Sequence, residues 1–279
     1  MDWSYKPSSK PAQAELSDLK LFVCPDSELF LPLRTAILEG GLADVEAVIV
    51  GAAREAVEIQ SKVPDDYSQL GASRLGGFPD LEEPGLFPKT DGLRWIFLAQ
   101  FNLAELAPFN SYLPQSGLLS FFIDSTEQLN GKVLFQQGKT EDLHTVRHDG
   151  ADDMLSPEDD YTQQPHRVSF QRIFSLPHRS PDGILSDQAF ELYENCEPLH
   201  KAVDHQINGY TFTQHESPQQ QAANKLRGQP AEWVPLLQLG WDSSVGFCFW
   251  DAGTLTYSIH QEDLRRFDFS RVHVSLESS

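Results

Sequence analysis

Two stretches of this chain carry the same spaced residues in the same order, and that repetition limits the folds available to it. The first has Gly77-Phe78, then Trp95, Leu98 and Gln100, then Gly117, Leu119, Phe121 and Ile123. The second has Gly209-Tyr210, then Trp233, Leu236 and Gln238, then Gly253, Leu255, Tyr257 and Ile259. Inside each block the offsets match: Trp, +3 Leu, +5 Gln, and Gly, +2 Leu, +4 aromatic, +6 Ile. Side chains alternate across a strand, so equal offsets put equivalent residues on equivalent sheet faces. The competing reading is coincidence among common strand residues, and three blocks in one order weigh against it. We expect a duplicated loop–strand–strand unit over about 70–136 and 200–276, its copies sharing one core.

Strands are expected at 95–102, 117–124, 132–136, 168–174, 233–239, 245–250, 254–259 and 272–276. The run Trp95–Asn102 is apolar on both alternating faces, as in a strand covered on both sides. Helical patterning is expected in parts of 16–58, at 186–195, and after Ser217-Pro218, where Ser217 caps, Pro218 sits at N1 and Gly228 stops the helix. Another turn or two is expected over 262–267. Residues 1–15 read as a flexible polar tail, and 16–279 as one domain. The fold class is α+β: largely antiparallel sheets with a few peripheral helices.

The chain has 279 residues, 40% of them hydrophobic, with 18 Phe and 5 Trp, enough for a full core. Lys and Arg total 21 against 41 Asp and Glu, a net charge of −20. Such a field repels phosphate backbones, so nucleic acid is not expected as a partner; it attracts cationic ligands or a basic protein. Solubility alone is the plainer reading of the same charge. Residues 141–160 hold eight acids and one arginine without periodicity, and read as a long solvated loop. Cys24, Cys196 and Cys248 are far apart and no CxxC occurs, which argues against a disulfide framework and a zinc site. The N-terminal stretch has no apolar h-region and no run approaches a membrane span. The cytoplasm is the expected location.

No P-loop, HExxH, GxSxG or GxGxxG motif is present. No cofactor is expected. Four residues stand out as candidate ligand contacts: Arg74, Gln100, His205 and Gln238. Gln100 and Gln238 lie mid-strand among aliphatic residues. A buried amide must satisfy an oxygen and two N–H donors, so each either pins strand register or lines a cleft between the repeats. Arg74 precedes Gly76-Gly77, where a backbone can approach a carboxylate or phosphate closely, or where an arginine pairs with surface acids. His144 and His148 are four apart beside several aspartates, but the flanks are not helical and a loop is the expectation. His200, Asp204 and His205 form a second cluster without an adjacent nucleophile. Asp251 is expected to fix the turn at Ala252-Gly253.

The segments Ser73–Leu81, Phe97–Leu103, Leu113–Leu119, His205–Tyr210, Leu236–Leu239, Trp250–Leu255 and Asp268–Ser270 resemble the YwqG-like family of bacterial proteins. The resemblance spans about 70–275. Thr211 stands where the family pattern has Pro, and the first 60 residues match poorly. It implies a mixed α+β cytoplasmic protein and no catalytic residue. The leading expectation is a non-enzymatic binding protein, in concrete form an acidic, immunity- or antitoxin-like partner of a basic protein. The alternative is an enzyme acting on a small polar ligand in the cleft between the repeats.

Overall fold

The computed structural model describes residues 30–124, 129–147, 163–177, 187–196, 199, 203–211, 213 and 215–278. The expected tail at 1–15, Cys24, His148, His200 and the acidic positions from Asp149 to Asp160 lie outside the described residues.

Fourteen strands are described: β1 (Arg54–Pro64), β2 (Arg74–Leu75), β3 (Asp80–Leu81), β4 (Lys89–Thr90), β5 (Leu93–Arg94), β6 (Ile96–Asn102), β7 (Leu118–Ile123), β8 (Gly131–Gln136), β9 (His144–Thr145), β10 (His166–Ser175), β11 (Gln206–Ile207), β12 (Trp233–Leu239), β13 (Thr254–His260) and β14 (Val272–Glu277). Six helices accompany them: α1 (Phe30–Glu39), α2 (Glu46–Ala52), α3 (Leu103–Leu106), α4 (Asp187–Glu194), α5 (Pro218–Lys225) and α6 (Gln261–Arg265). No helix among the described residues is long and apolar enough to cross a membrane.

Ten strands form one antiparallel sheet in the order β14-β13-β12-β11-β1-β10-β2-β6-β7-β8. Its centre is the long β1–β10 pair, running from Arg54 opposite Ser175 to Pro64 opposite His166 with a register shift between Ser61 and Val63. On either side lies a wing of one short and three longer strands. In one wing Gln100 faces Ser120 and Ala99 faces Phe121, with a register shift between Phe97 and Ala99. In the other Gln238 faces Thr256 and Leu237 faces Tyr257, with a shift between Pro235 and Leu237.

The sheet curls until its ends approach, giving a nearly closed barrel. Tyr257 on β13 donates its hydroxyl to the Phe122 carbonyl on β7 (2.8 Å), and its ring meets Phe121 edge-on. Gly131 on β8 faces Val274 of β14 so closely that a Cβ there would collide with the valine side chain. One core cluster accordingly takes residues from both wings, among them Phe101, Leu119 and Phe121 with Leu236, Leu255 and Ile259. Burying each such side chain stabilises the fold by about 1.5–3 kcal/mol. Strand alternation turns Phe97 and Phe122 outward, where Leu81, Phe87 and Val146 cover them. A third cluster joins α1 and α2 to Tyr193 of α4. Between β4 and β5, Asp91 and Gly92 both take positive φ (53° and 87°), the geometry of a tight hairpin turn.

Three expectations are corrected. The helical pattern expected to reach residue 58 ends at Ala52; beyond it Val57 and Ile59 alternate with Glu58 and Gln60 and feed the core as β1. Residues 245–250 are not a strand but part of a looped connection from β12 to β13, held by two isolated bridges, Asp242–Phe247 and Phe249–Gly253. The 141–160 stretch is not solvated loop throughout, since β9 pairs with β3 and Val146 is buried. Ser217 caps α5 by accepting from the Gln220 amide, with Pro218 at N1; the helix stops at Lys225, before Gly228.

Candidate functional site

β2 pairs with β6 so that Arg74 lies opposite Gln100. Arg74 is wholly buried, not on a surface turn as one of the two expectations had it. Its Nε donates to Asp65 Oδ2 (2.6 Å), its Nη1 to the Phe78 carbonyl (2.9 Å), and its Nη2 lies 2.9 Å from Asp80 Oδ2 as an ion contact off the N–H direction. The guanidinium also covers the Tyr67 ring at 4.7 Å. Asp80 is the hub. Its Oδ2 also accepts from the Gly71 amide and Gln100 Nε2, and its Oδ1 from Thr145. Burial pushes the Asp80 carboxyl up, but the Arg74 charge and the bonds from Thr145, Arg74 and Gln100 outweigh it and hold the group below its ordinary value. Gln100 Oε1 accepts from the Asp80 amide and its Nε2 also reaches the Ala72 carbonyl. The amide oxygen and both amide hydrogens of Gln100 thereby have partners.

In the other wing β11 places Gln206 opposite Gln238. Gln206 Nε2 donates to Gln238 Oε1 (3.0 Å), and Gln238 Nε2 donates to the Val203 carbonyl (2.9 Å). His205 is buried and engages not Asp204 but Asp242, with Nε2 3.2 Å from Oδ2. The Gly240 amide donates to Nδ1 (3.2 Å). These partners assign the proton to Nε2, and neither ring nitrogen is left to act as a base.

Asp242 is the functional group the sequence reading missed. It accepts from His205, from Ser61 Oγ, from the Ser244 amide and hydroxyl, and from the Val245 amide. Burial raises its carboxyl, yet the bonds from His205, Ser244, Ser61 and Val245 bring it far below the ordinary carboxylate value. Asp-Ser-Ser at 242–244, with a carboxylate able to cap the amide two residues on, was the available signal. Asp251, expected to fix its own turn, is exposed and accepts no hydrogen bond among the described residues. Ser61, His205 and Asp242 superficially suggest a hydrolytic triad, but Ser61 donates to the carboxylate and not to an imidazole lone pair, so nothing activates it.

The structure thus sets Arg74 opposite Gln100, whereas Gln238 meets Gln206 and His205 turns to Asp242 and the Gly240 amide. Among the described residues no hydrogen bond or ion pair joins Arg74 or Gln100 to His205 or Gln238. His144 is exposed on β9, and among the described residues no three His, Cys, Asp or Glu side chains gather as a metal ion would require. An open groove of about 420 Å³ runs between α5 and β14, lined in part by Lys225, His273 and Ser275. His273 is buried, and burial, then the Lys225 charge, lower its imidazole to about 4.

Residues 73–277, well over half of the chain, match the model of a family described as Domain of unknown function (DUF1963), which includes the YwqG-like proteins. No curated protein matches the chain.

Proposed function

The chain belongs to this DUF1963 family, and from that premise we propose that it is a non-enzymatic binding protein whose partner is a basic protein. The observation that carries the reading is the net charge of −20. A field of that size accelerates encounter with a cationic surface and repels nucleic acid. The closed state of the polar side chains supports it further. Arg74, Gln100, His205 and Gln238 spend their bonds on Asp65, Asp80, Asp242 and Gln206 and on the backbone, as side chains that fix strand register do. An enzyme working on a small polar ligand between the wings finds no support in them.

The same proposal places the chain among the YwqG-like members, in the cytoplasm, in an immunity- or antitoxin-like role. It also includes descent of the two wings from one duplicated loop–strand–strand unit. Supporting that are the matched pairs Gln100–Ser120 and Gln238–Thr256, each followed by a register shift two residues upstream. Trp95 and Trp233 differ in burial, half-exposed against buried, but each indole N–H bonds to the segment just before its strand, at Thr90 and Arg227.

Affinity capture with the full chain at low and at high salt tests the proposal. We expect a basic protein partner that is released as salt rises. A neutral or acidic partner, or one retained at high salt, would overturn it.

A further inference from the structure

We propose that the β12–β13 connection, residues 240–253, is the docking surface for the partner, and that the partner presents a cationic segment whose lysine or arginine side chains lie on the faces of Trp241 and Trp250. This rests on the preceding reading and gives it a place and a chemistry. Trp241 is 52% and Trp250 70% exposed, and they are the exposed tryptophans among the described residues. Large aromatic rings left in water on a loop are what interface anchors look like before their partner arrives.

The loop is stiff. Asp242 ties it to Ser61 and His205. Phe247 is buried in the core with Phe249 packed beside it, and Val245 meets Gln164 through its carbonyl. Trp250 and Ala252 sit at φ 53° and 52°, left-handed backbone that disfavours a side-chain-bearing residue and persists only where the surroundings impose it. The indoles are therefore displayed from a preorganised frame, which reduces the ordering cost of binding.

Charge selects the occupant. From Gly240 to Gly253 the chain carries Asp242 and Asp251 and no lysine or arginine. Asp251, next to Trp250, is exposed with its carboxylate uncommitted among the described residues, and exposed Asp204 backs onto Gly240. An indole face beside a carboxylate favours a guanidinium or ammonium group. A second copy of this chain, itself at −20, is disfavoured at the same surface, as is an anionic membrane.

The test is fluorescence anisotropy with labelled oligo-arginine and oligo-lysine peptides on the full-length chain. Trp241→Ala with Trp250→Ala keeps the net charge and should weaken binding by about tenfold or more. Asp251→Asn should weaken it less. If the double variant loses its circular-dichroism signature, Trp241→Ala alone and peptide quenching of indole emission in the unaltered protein give the answer. Undiminished affinity in the tryptophan variants, or unquenched indoles, would overturn the docking surface while leaving the acidic-partner reading standing. Failure of the unaltered chain to hold either peptide at low salt would bring down both.

Discussion

Gln100 and Gln238 hold matching register positions in the two wings, yet their surroundings differ in kind. Across from Gln100 stands Arg74, inside a cage of Asp65 and Asp80; across from Gln238 stands Gln206, and the pair share a neutral amide–amide bond. Both arrangements pin a short strand to a long one. The charged version binds far more of the chain together, since Asp80 alone gathers Gly71, Arg74, Gln100 and Thr145. Its cost is dependence: a buried charge is tolerable only while its partners remain. The neutral version holds less and risks less.

That difference sets the largest expected effect. Arg74→Met leaves two aspartates, 1% and 0% exposed at their side chains, without their cation. Removing one partner of a buried pair destabilises by about 3–5 kcal/mol. Guanidinium chloride denaturation should show a loss of that size, and Arg74→Lys should recover only part of it because the ammonium cannot reproduce the fork. The matching change in the other wing, Gln206→Leu, strands one acceptor on Gln238 and one on the Tyr210 carbonyl, and should cost about 1–3 kcal/mol by the same measurement. Equal losses in the two wings would break the distinction between them.

A structural seam offers a test of intermediate size. The wings meet where Gly131 faces Val274 and Tyr257. Gly131→Ala forces a methyl into both, and overpacking of this kind costs about 1–3 kcal/mol. The loss should appear as a lower denaturation midpoint. A neutral outcome would mean that the barrel is looser at its closing edge than its core contacts indicate.

The strands most legible in the sequence were those whose two faces are both covered, because an unbroken apolar run such as Ile96–Phe101 leaves no other reading. That Gln100 and Gln238 need hydrogen-bond partners is legible for the same reason, because a lone amide in an apolar strand does not stay unsatisfied. What escaped was nonlocal. The partners of Arg74 are fixed by a turn that returns Asp65 and Asp80 to it, and sequence spacing carries no trace of that. Asp242 escaped because its partners Ser61 and His205 come from distant strands. Residues 245–250 have the pattern of a strand because Val, Phe and Phe there anchor a loop into the core, and anchoring residues in a loop have the composition of a strand.

A further effect is read by pH. On β14 His273 is buried uncharged, with its imidazole lowered to about 4 from 6.5. Below pH 6.5 the unfolded chain takes up this proton while the folded chain does not. His273 therefore contributes fully above pH 6.5, and its contribution drains away as pH falls from 6.5 towards 4. Asp80 behaves differently. Its folded carboxyl lies below the ordinary 3.8, so its contribution is intact above that value and is lost only as pH drops through the lowered one. Stability measured against pH should then fall in two stages, the first between 6.5 and 4 and the second below 3.8. His273→Gln should flatten the stage between 6.5 and 4 and leave the acid stage in place. Persistence of the first stage in that variant would assign the proton uptake to another group and remove His273 from the account of that stage.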